Sequence, residues 1–317
     1  MVYFLTQENN QLGDVYENIR NILTLNNFAV NSYKKIQYGI QFSIVYGNSQ
    51  ELLRIYQNKK GKIKIDYSLI KSEQIKEKIQ KLIEQKTFES FTEEDIENLS
   101  KFGFPIIGTD EAGKGDYFGP LVGAGVYVDE NRAKKLASIG VQDSKDLSDE
   151  KNIELSKKII DICKHRFSII EISPSKYNDL YSIFTQENKN LNHLLAWSHA
   201  KAIEVLLSRV DCSTAVIDQF SDEKFILDKL QEKGKKITII QMHRAEENIA
   251  VAAASILARS RFLDKLRELS HIYNMDFPKG SSREVITIAK KFIDKHGKEK
   301  LYQVAKLHFK TSKSVLD

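Results

Sequence analysis

Ile106-Ile107-Gly108-Thr109-Asp110-Glu111-Ala112-Gly113-Lys114-Gly115-Asp116-Tyr117-Phe118-Gly119-Pro120-Leu121 carries two adjacent carboxylates from a short apolar run straight into a Gly-Lys-Gly turn. Carboxylates are hard oxygen ligands suited to Mg²⁺ or Mn²⁺. Glycines let backbone N–H groups come close to a phosphate or sugar, and the lysine between them adds a point charge. Metal ligands and anion donors set this close together point to metal-assisted chemistry on a phosphate ester.

Gly108 to Lys114 also spells the first seven positions of a nucleotide-binding P-loop. That motif needs Ser or Thr next, because its hydroxyl ligates Mg²⁺. The next residue is Gly115, and Asp110 and Glu111 would repel the triphosphate from inside the loop. The P-loop reading fails on both counts.

Outward from this stretch, residues 105–317 alternate in type. A second apolar strand is expected over Leu121–Val128, a helix near 149–164, and a strand over Phe167–Ile172. Then come a long helix around 190–209, a strand at 214–218, a helix at 222–233 and a strand at 237–242. A very apolar helix at about 248–263 and helices near 282–296 and 298–306 close the chain. Strands that first pair with each other and later alternate with helices imply an α/β mixed sheet flanked by helices.

Residues 1–86 read as a small α+β unit. Leu12, Val15, Tyr16, Ile19, Ile22 and Leu23 recur at helical spacing. Short β-rich runs follow at Phe28–Tyr33, Ile36–Tyr46, Leu52–Tyr56 and Ile63–Ile70, with Asn58-Lys59-Lys60-Gly61 as a hairpin turn. Ile75, Ile79, Leu82 and Ile83 mark a closing helix. Residues 87–104 are an acidic, polar linker in which Thr92-Glu93-Glu94-Asp95 has the form of a helix start.

The pattern of motifs resembles the ribonuclease HIII family, bacterial enzymes that cut the RNA strand of RNA–DNA hybrids. The resemblance rests on the opening stretch with Val141-Gln142-Asp143-Ser144-Lys145-Asp146-Leu147-Ser148 and Val216-Ile217-Asp218-Gln219-Phe220. It continues through His243-Arg244-Ala245-Glu246, Val251 to Arg259, Phe277-Pro278-Lys279-Gly280 and Val304 to Phe309, in the family's order. It implies a ribonuclease-H-like catalytic domain over 105–317, preceded by a TATA-binding-protein-like substrate-binding domain over 1–86.

The resemblance further implies that Asp110, Glu111, Asp218 and Glu246 form a catalytic, metal-holding quartet. Taken alone, Asp218 is a strand-end acid that could equally cap a loop, and Glu246 a helix N-terminal carboxylate, a role Glu247 fills as readily. Four converging carboxylates repel one another unless cations neutralise them. Two divalent ions, Mg²⁺ or Mn²⁺, would do so, activating water and stabilising the departing O3′ to leave 5′-phosphate and 3′-hydroxyl ends. Gly113, Lys114 and Gly115 are the expected contact to ribose and phosphate, with Ser144 and Lys145 near substrate phosphates. Lys59, Lys60 and Lys62 either guard an exposed strand edge or grip hybrid backbone. Lys306, His308, Lys310 and Lys313 are either a solvated face or a further backbone-binding edge.

Composition bounds the alternatives. The net charge of +5 is compatible with a polyanionic partner without demanding one. Cys163 and Cys212 lack metal-ligand spacing and read as inert thiols in a reducing cytoplasm. Met1 to Glu8 has neither a basic start nor a long apolar core, and no apolar run approaches the roughly 20 residues needed to span a bilayer. A monomer is the default, since no heptad pattern is present. Competing functions are a ribonuclease HII, against which the N-terminal domain and Glu246 both argue, and a non-catalytic hybrid-binding protein. Retention of all four acids argues against the latter.

Overall fold

The computed structural model describes residues 11–58, 63–89, 93–218 and 224–316. These divide into two compact units, one up to residue 96 together with 134–140, the other comprising 97–133 and 141 onward.

In the first unit, α1 (Gln11–Thr24) buries Val15, Tyr16, Ile19 and Leu23 on one face. Strands β1 (Ala29–Val30), β2 (Lys34–Ile36), β3 (Gly39–Tyr46), β4 (Ser49–Gln57) and β5 (Ile63–Asp66) pair antiparallel, with β1 and β2 both against β3. The expected single run Ile36–Tyr46 is broken into β2 and β3 by a two-residue turn at Gln37-Tyr38, where Tyr38 takes φ +62°. Periodicity alone does not mark that turn, because Tyr38 suits a strand by composition. Helix α2 (Glu73–Glu89) lays Ile75, Ile79 and Ile83 onto the sheet core around Phe42, Leu53 and Ile55. Burying one such side chain stabilises by about 1.5–3 kcal/mol, so this stripe fixes the helix to the sheet.

The expected linker is more regular than its composition suggests. Its start lies within α2, and α3 (Glu93–Leu99) occupies its middle. Acidic residues favour the first turn of a helix, which turns a polar connector into a short one. Thr92 lies outside the described residues, as do Lys59, Lys60, Gly61 and Lys62. Gln57 pairs with Ile63 on either side of that gap, in the register of a hairpin.

The chain continues through β6 (Ile106–Ala112), β7 (Leu121–Val128), α4 (Glu130–Ser138), α5 (Asp149–Ile162), β8 (Phe167–Ile172), α6 (Pro174–Gln186) and α7 (Leu191–Leu207). It then forms β9 (Thr214–Asp218), α8 (Lys224–Leu227), β10 (Thr238–Met242), α9 (Ile249–Tyr273), α10 (Arg283–His296) and α11 (Lys310–Leu316). The sheet order is β10-β9-β6-β7-β8. Strands β6, β7 and β8 pair antiparallel, whereas β9 and β10 run parallel to β6. This is the mixed, helix-flanked ribonuclease-H-like sheet expected from the alternation.

Helix α9 runs ten residues past its expected end because Leu263 and Leu266 keep an apolar face buried well beyond Arg259. It stops where Asn274 adopts a left-handed cap at φ +46°. The expected helix at 298–306 is instead a 3₁₀ segment, Lys298–Gln303. Among the described residues, no helix is long and apolar enough to cross a membrane.

Candidate active site

The parallel register gathers the acids. Thr109 of β6 lies level with Ile217 of β9, so the next residue on each strand brings Asp110 beside Asp218. Both stand at the carboxyl ends of neighbouring parallel strands, where ligand sites of α/β sheets collect. Asp218 in turn pairs with Met242 of β10. A turn then follows through His243 and Arg244, the latter left-handed at φ +56°, into the 3₁₀ segment Ala245–Glu247. The Ala245 N–H donates to Asp218 Oδ1 at 3.4 Å, tying the segment that carries Glu246 to the end of β9. Glu247 points elsewhere: it is 53% exposed and paired at 3.9 Å with Lys101 and 4.0 Å with Arg244.

Asp110 and Glu111 are sequence neighbours on a strand, and their side chains leave opposite faces. Burial and the negative charge of Glu111 push the Asp110 carboxyl well above the usual range, with Asp218 adding to the effect. The Glu111 N–H, 2.7 Å from Asp110 Oδ1, and the Lys145 ammonium offset part of it. On the other face, burial would raise the Glu111 carboxyl too. The His199 ring, 3.0 Å from Oε2, and Lys114, 3.6 Å from Oε1, outweigh that and hold it below its ordinary value. His199 is also 2.9 Å from the Thr109 hydroxyl through Nδ1. His199 is thus a buried residue whose partner is an acid of the expected quartet. Its place on the buried face of α7, among Leu195, Ala196, Ala202 and Ile203, is the signal in the sequence.

Lys145 extends from the Asp143-Ser144-Lys145-Asp146 turn. Burial opposes its charge, but Asp143, Asp110, Glu246 and Asp218 together raise its pKa. Ser144 behaves differently from expectation. It is only 9% exposed, and its hydroxyl is engaged by Ser255 of α9 while its carbonyl accepts from Asn152 at 3.0 Å. The Ser144 hydroxyl therefore anchors this turn instead of facing outward.

The two glycines around Lys114 differ in kind. Gly113 takes φ +88°, and a Cβ there would lie 2.2 Å from the Pro120 carbonyl oxygen, so the fold itself requires glycine. Gly115 has ordinary φ and nothing within 4 Å of a would-be Cβ, so the fold leaves its surface open to a ligand. Asp116 then accepts from the Gly280 N–H at 2.6 Å, tying the turn to the Phe277-Pro278-Lys279-Gly280 loop. Lys306 is neither solvated nor on an outer edge. It is fully buried and donates to the carbonyl of Gly119 at 2.6 Å, fixing the end of the same loop, and burial pulls its pKa down to about 7.

For divalent cations the donor chemistry fits. The acids offer hard oxygen ligands only, and Asp110 carries a charge that burial and its neighbours disfavour, a cost a cation would relieve. Among the described residues, no three His, Cys, Asp or Glu side chains are gathered around one ion-sized position. The P-loop reading is excluded by geometry as well, since Gly108 to Ala112 is strand and cannot wrap a phosphate.

A family model described as ribonuclease HII matches residues 107–312. The ribonuclease HIII of Protochlamydia amoebophila is 46% identical over 230 residues, covering 69% of this chain and 74% of that protein. Among solved structures, Bst ribonuclease HIII in complex with Mn²⁺ superposes with a TM-score of 0.63 at 24% identity, covering 99% of this chain and 98% of its own. Aquifex aeolicus ribonuclease H3 aligns with a TM-score of 0.53 at 28% identity, over 93% of this chain and 96% of its own. With its sheet, its strand-end acids and these relatives in agreement, the chain belongs to the ribonuclease HII family, within its ribonuclease HIII branch.

Proposed function

We propose that this chain is an endonuclease that hydrolyses the RNA strand of RNA–DNA hybrids with divalent metal, leaving 5′-phosphate and 3′-hydroxyl ends. The observation that carries the reading is the parallel pairing that sets Asp110 beside Asp218, on strands next to a Gly-Lys-Gly turn whose second glycine is open to a ligand. Asp110, Glu111, Asp218 and Glu246 would hold the metal, and Mg²⁺ or Mn²⁺, as two ions, would supply an activated water and charge stabilisation at phosphorus.

The chain's own residues do the rest. Lys114 and Lys145 offset the charge of the phosphate, and the Gly115 backbone approaches the ribose closely enough to test for a 2′-hydroxyl, the group that distinguishes RNA from DNA. The Ser144 turn, braced by Ser255 and Asn152, sets the reach of Lys145. Residues 1–86 act as the substrate-binding domain, with Lys59, Lys60 and Lys62 contributing backbone contacts, and the protein works as a cytoplasmic monomer.

The test is a set of single substitutions. Asp110→Asn should lower cleavage of a hybrid about a thousandfold, roughly 4 kcal/mol of barrier, while retaining hybrid binding. Glu246→Gln should be similarly inactive and Glu247→Gln close to wild type. A Glu247→Gln enzyme that is dead beside an active Glu246→Gln would exchange the two assignments. An active Asp110→Asn enzyme would overturn the mechanism.

A further inference from the structure

Thr109 and His199 are both fully buried, 90 residues apart in sequence, and they meet only because α7 packs closely on the face of β6 and β7 that carries Glu111. Gly123, the partner of Glu111 in the β6–β7 register, makes the approach possible. A Cβ at Gly123 would lie 2.1 Å from the Ser198 hydroxyl. The helix thus delivers an imidazole against a carboxylate that is itself 11% exposed.

Hydrogen-bond chemistry fixes the direction of this chain. A carboxylate only accepts, so His199 Nε2 carries the proton donated to Glu111 Oε2 at 3.0 Å. The ring's other nitrogen, Nδ1, is hydrogen-bonded to the Thr109 hydroxyl at 2.9 Å. With Oε2 committed, the other oxygen, Oε1, is turned toward Lys114. Groups that hold a metal's ligands in this way set both orientation and affinity, and their loss costs about 10–100-fold.

We infer that Thr109 and His199 form a buried positioning relay that locks Glu111 in one orientation for metal binding. The inference deepens the proposed function and rests on Glu111 being a metal ligand. His199 is not a catalytic residue in this scheme, since it acts through Glu111 alone.

The experiment titrates hybrid-free, full-length protein with Mn²⁺, following free Mn²⁺ by electron paramagnetic resonance, with melting in EDTA recorded alongside. His199→Leu should weaken Mn²⁺ binding about 10–100-fold, and raising Mn²⁺ should recover most of its cleavage rate. His199→Gln, whose amide can still donate to Glu111, should regain most of the affinity. Thr109→Val should fall between wild type and His199→Leu. Where His199→Leu fails to fold, Thr109→Val and His199→Gln decide. Folded variants that bind Mn²⁺ as wild type does, whatever their melting temperatures, would overturn the relay alone. A wild-type chain that binds no Mn²⁺ would overturn the ligand reading of Glu111 and the relay with it.

Discussion

Replacing Gly108 with alanine should damage both stability and catalysis through a single clash. Gly108 lies two residues before Asp110 on β6, against the first turn of α9. Its added Cβ would sit 2.2 Å from the Ala250 carbonyl carbon and 2.2 Å from the Val251 nitrogen. Ordinary contact begins near 3.4 Å, so strand and helix must separate by about 1.2 Å. Both obstructing groups are backbone, so no rotamer change relieves the contact. Overpacking of this kind costs about 1–3 kcal/mol, and a backbone clash belongs at the upper end. At roughly 2–4 °C per kcal/mol for a unit of this size, melting should fall by about 6–12 °C. Because Glu246 lies three residues before the start of α9, the same displacement should move it relative to Asp110, and a misplacement of about 1 Å can cost ~100-fold in rate. The assay pairs thermal unfolding in EDTA with cleavage of a labelled hybrid. Gly115→Ala is the control: it meets no neighbouring atom, so it should melt like wild type and lose only cleavage. A Gly108→Ala protein that melts within about 2 °C of wild type and cuts at full rate would refute the reasoning.

Two further outcomes concern pH. The Asp110 carboxyl is raised in the folded chain by burial and by Glu111, so its stabilising contribution is complete below the ordinary value of 3.8 and is lost as pH rises through the raised folded value. In EDTA, Asp110→Asn should therefore melt higher than wild type at neutral pH, and the advantage should vanish in acid; equal melting at both would contradict the assigned shift. Burial works against the Asp149 charge, but Lys279 and Arg259 outweigh it and hold the carboxyl below its usual range. Its contribution is present above 3.8 and fades as pH falls through the lowered value. With 27% of the side chain exposed, Asp149→Asn should cost no more than about 1 kcal/mol at pH 7, read by urea unfolding.

Local signals in the sequence reached the strands and the acids unevenly. Ile106 to Asp110 and Thr214 to Asp218 are apolar runs closed by an acid, and that local pattern is enough to mark strand ends. Which strands lie side by side depends on the parallel pairing of Thr109 with Ile217, a contact that no local pattern encodes. The same limit applies to Glu246 and Glu247. Adjacent acids look alike until the fold pairs Glu247 with Lys101 and Arg244. Lys306 was misjudged for a related reason, since a lysine does not by itself declare the buried carbonyl that will take it. The break at Gln37-Tyr38 was missed because tyrosine in the left-handed region has no compositional mark, unlike glycine or asparagine.

The most direct test of the central claim uses an end-labelled RNA–DNA hybrid beside matched double-stranded RNA and double-stranded DNA, each with Mg²⁺, Mn²⁺ or EDTA. Cutting of the RNA strand of the hybrid alone, only with metal, and with 3′-hydroxyl products, is the result predicted. Cutting that persists in EDTA, or hybrid that is bound but never cut with either metal, would contradict it.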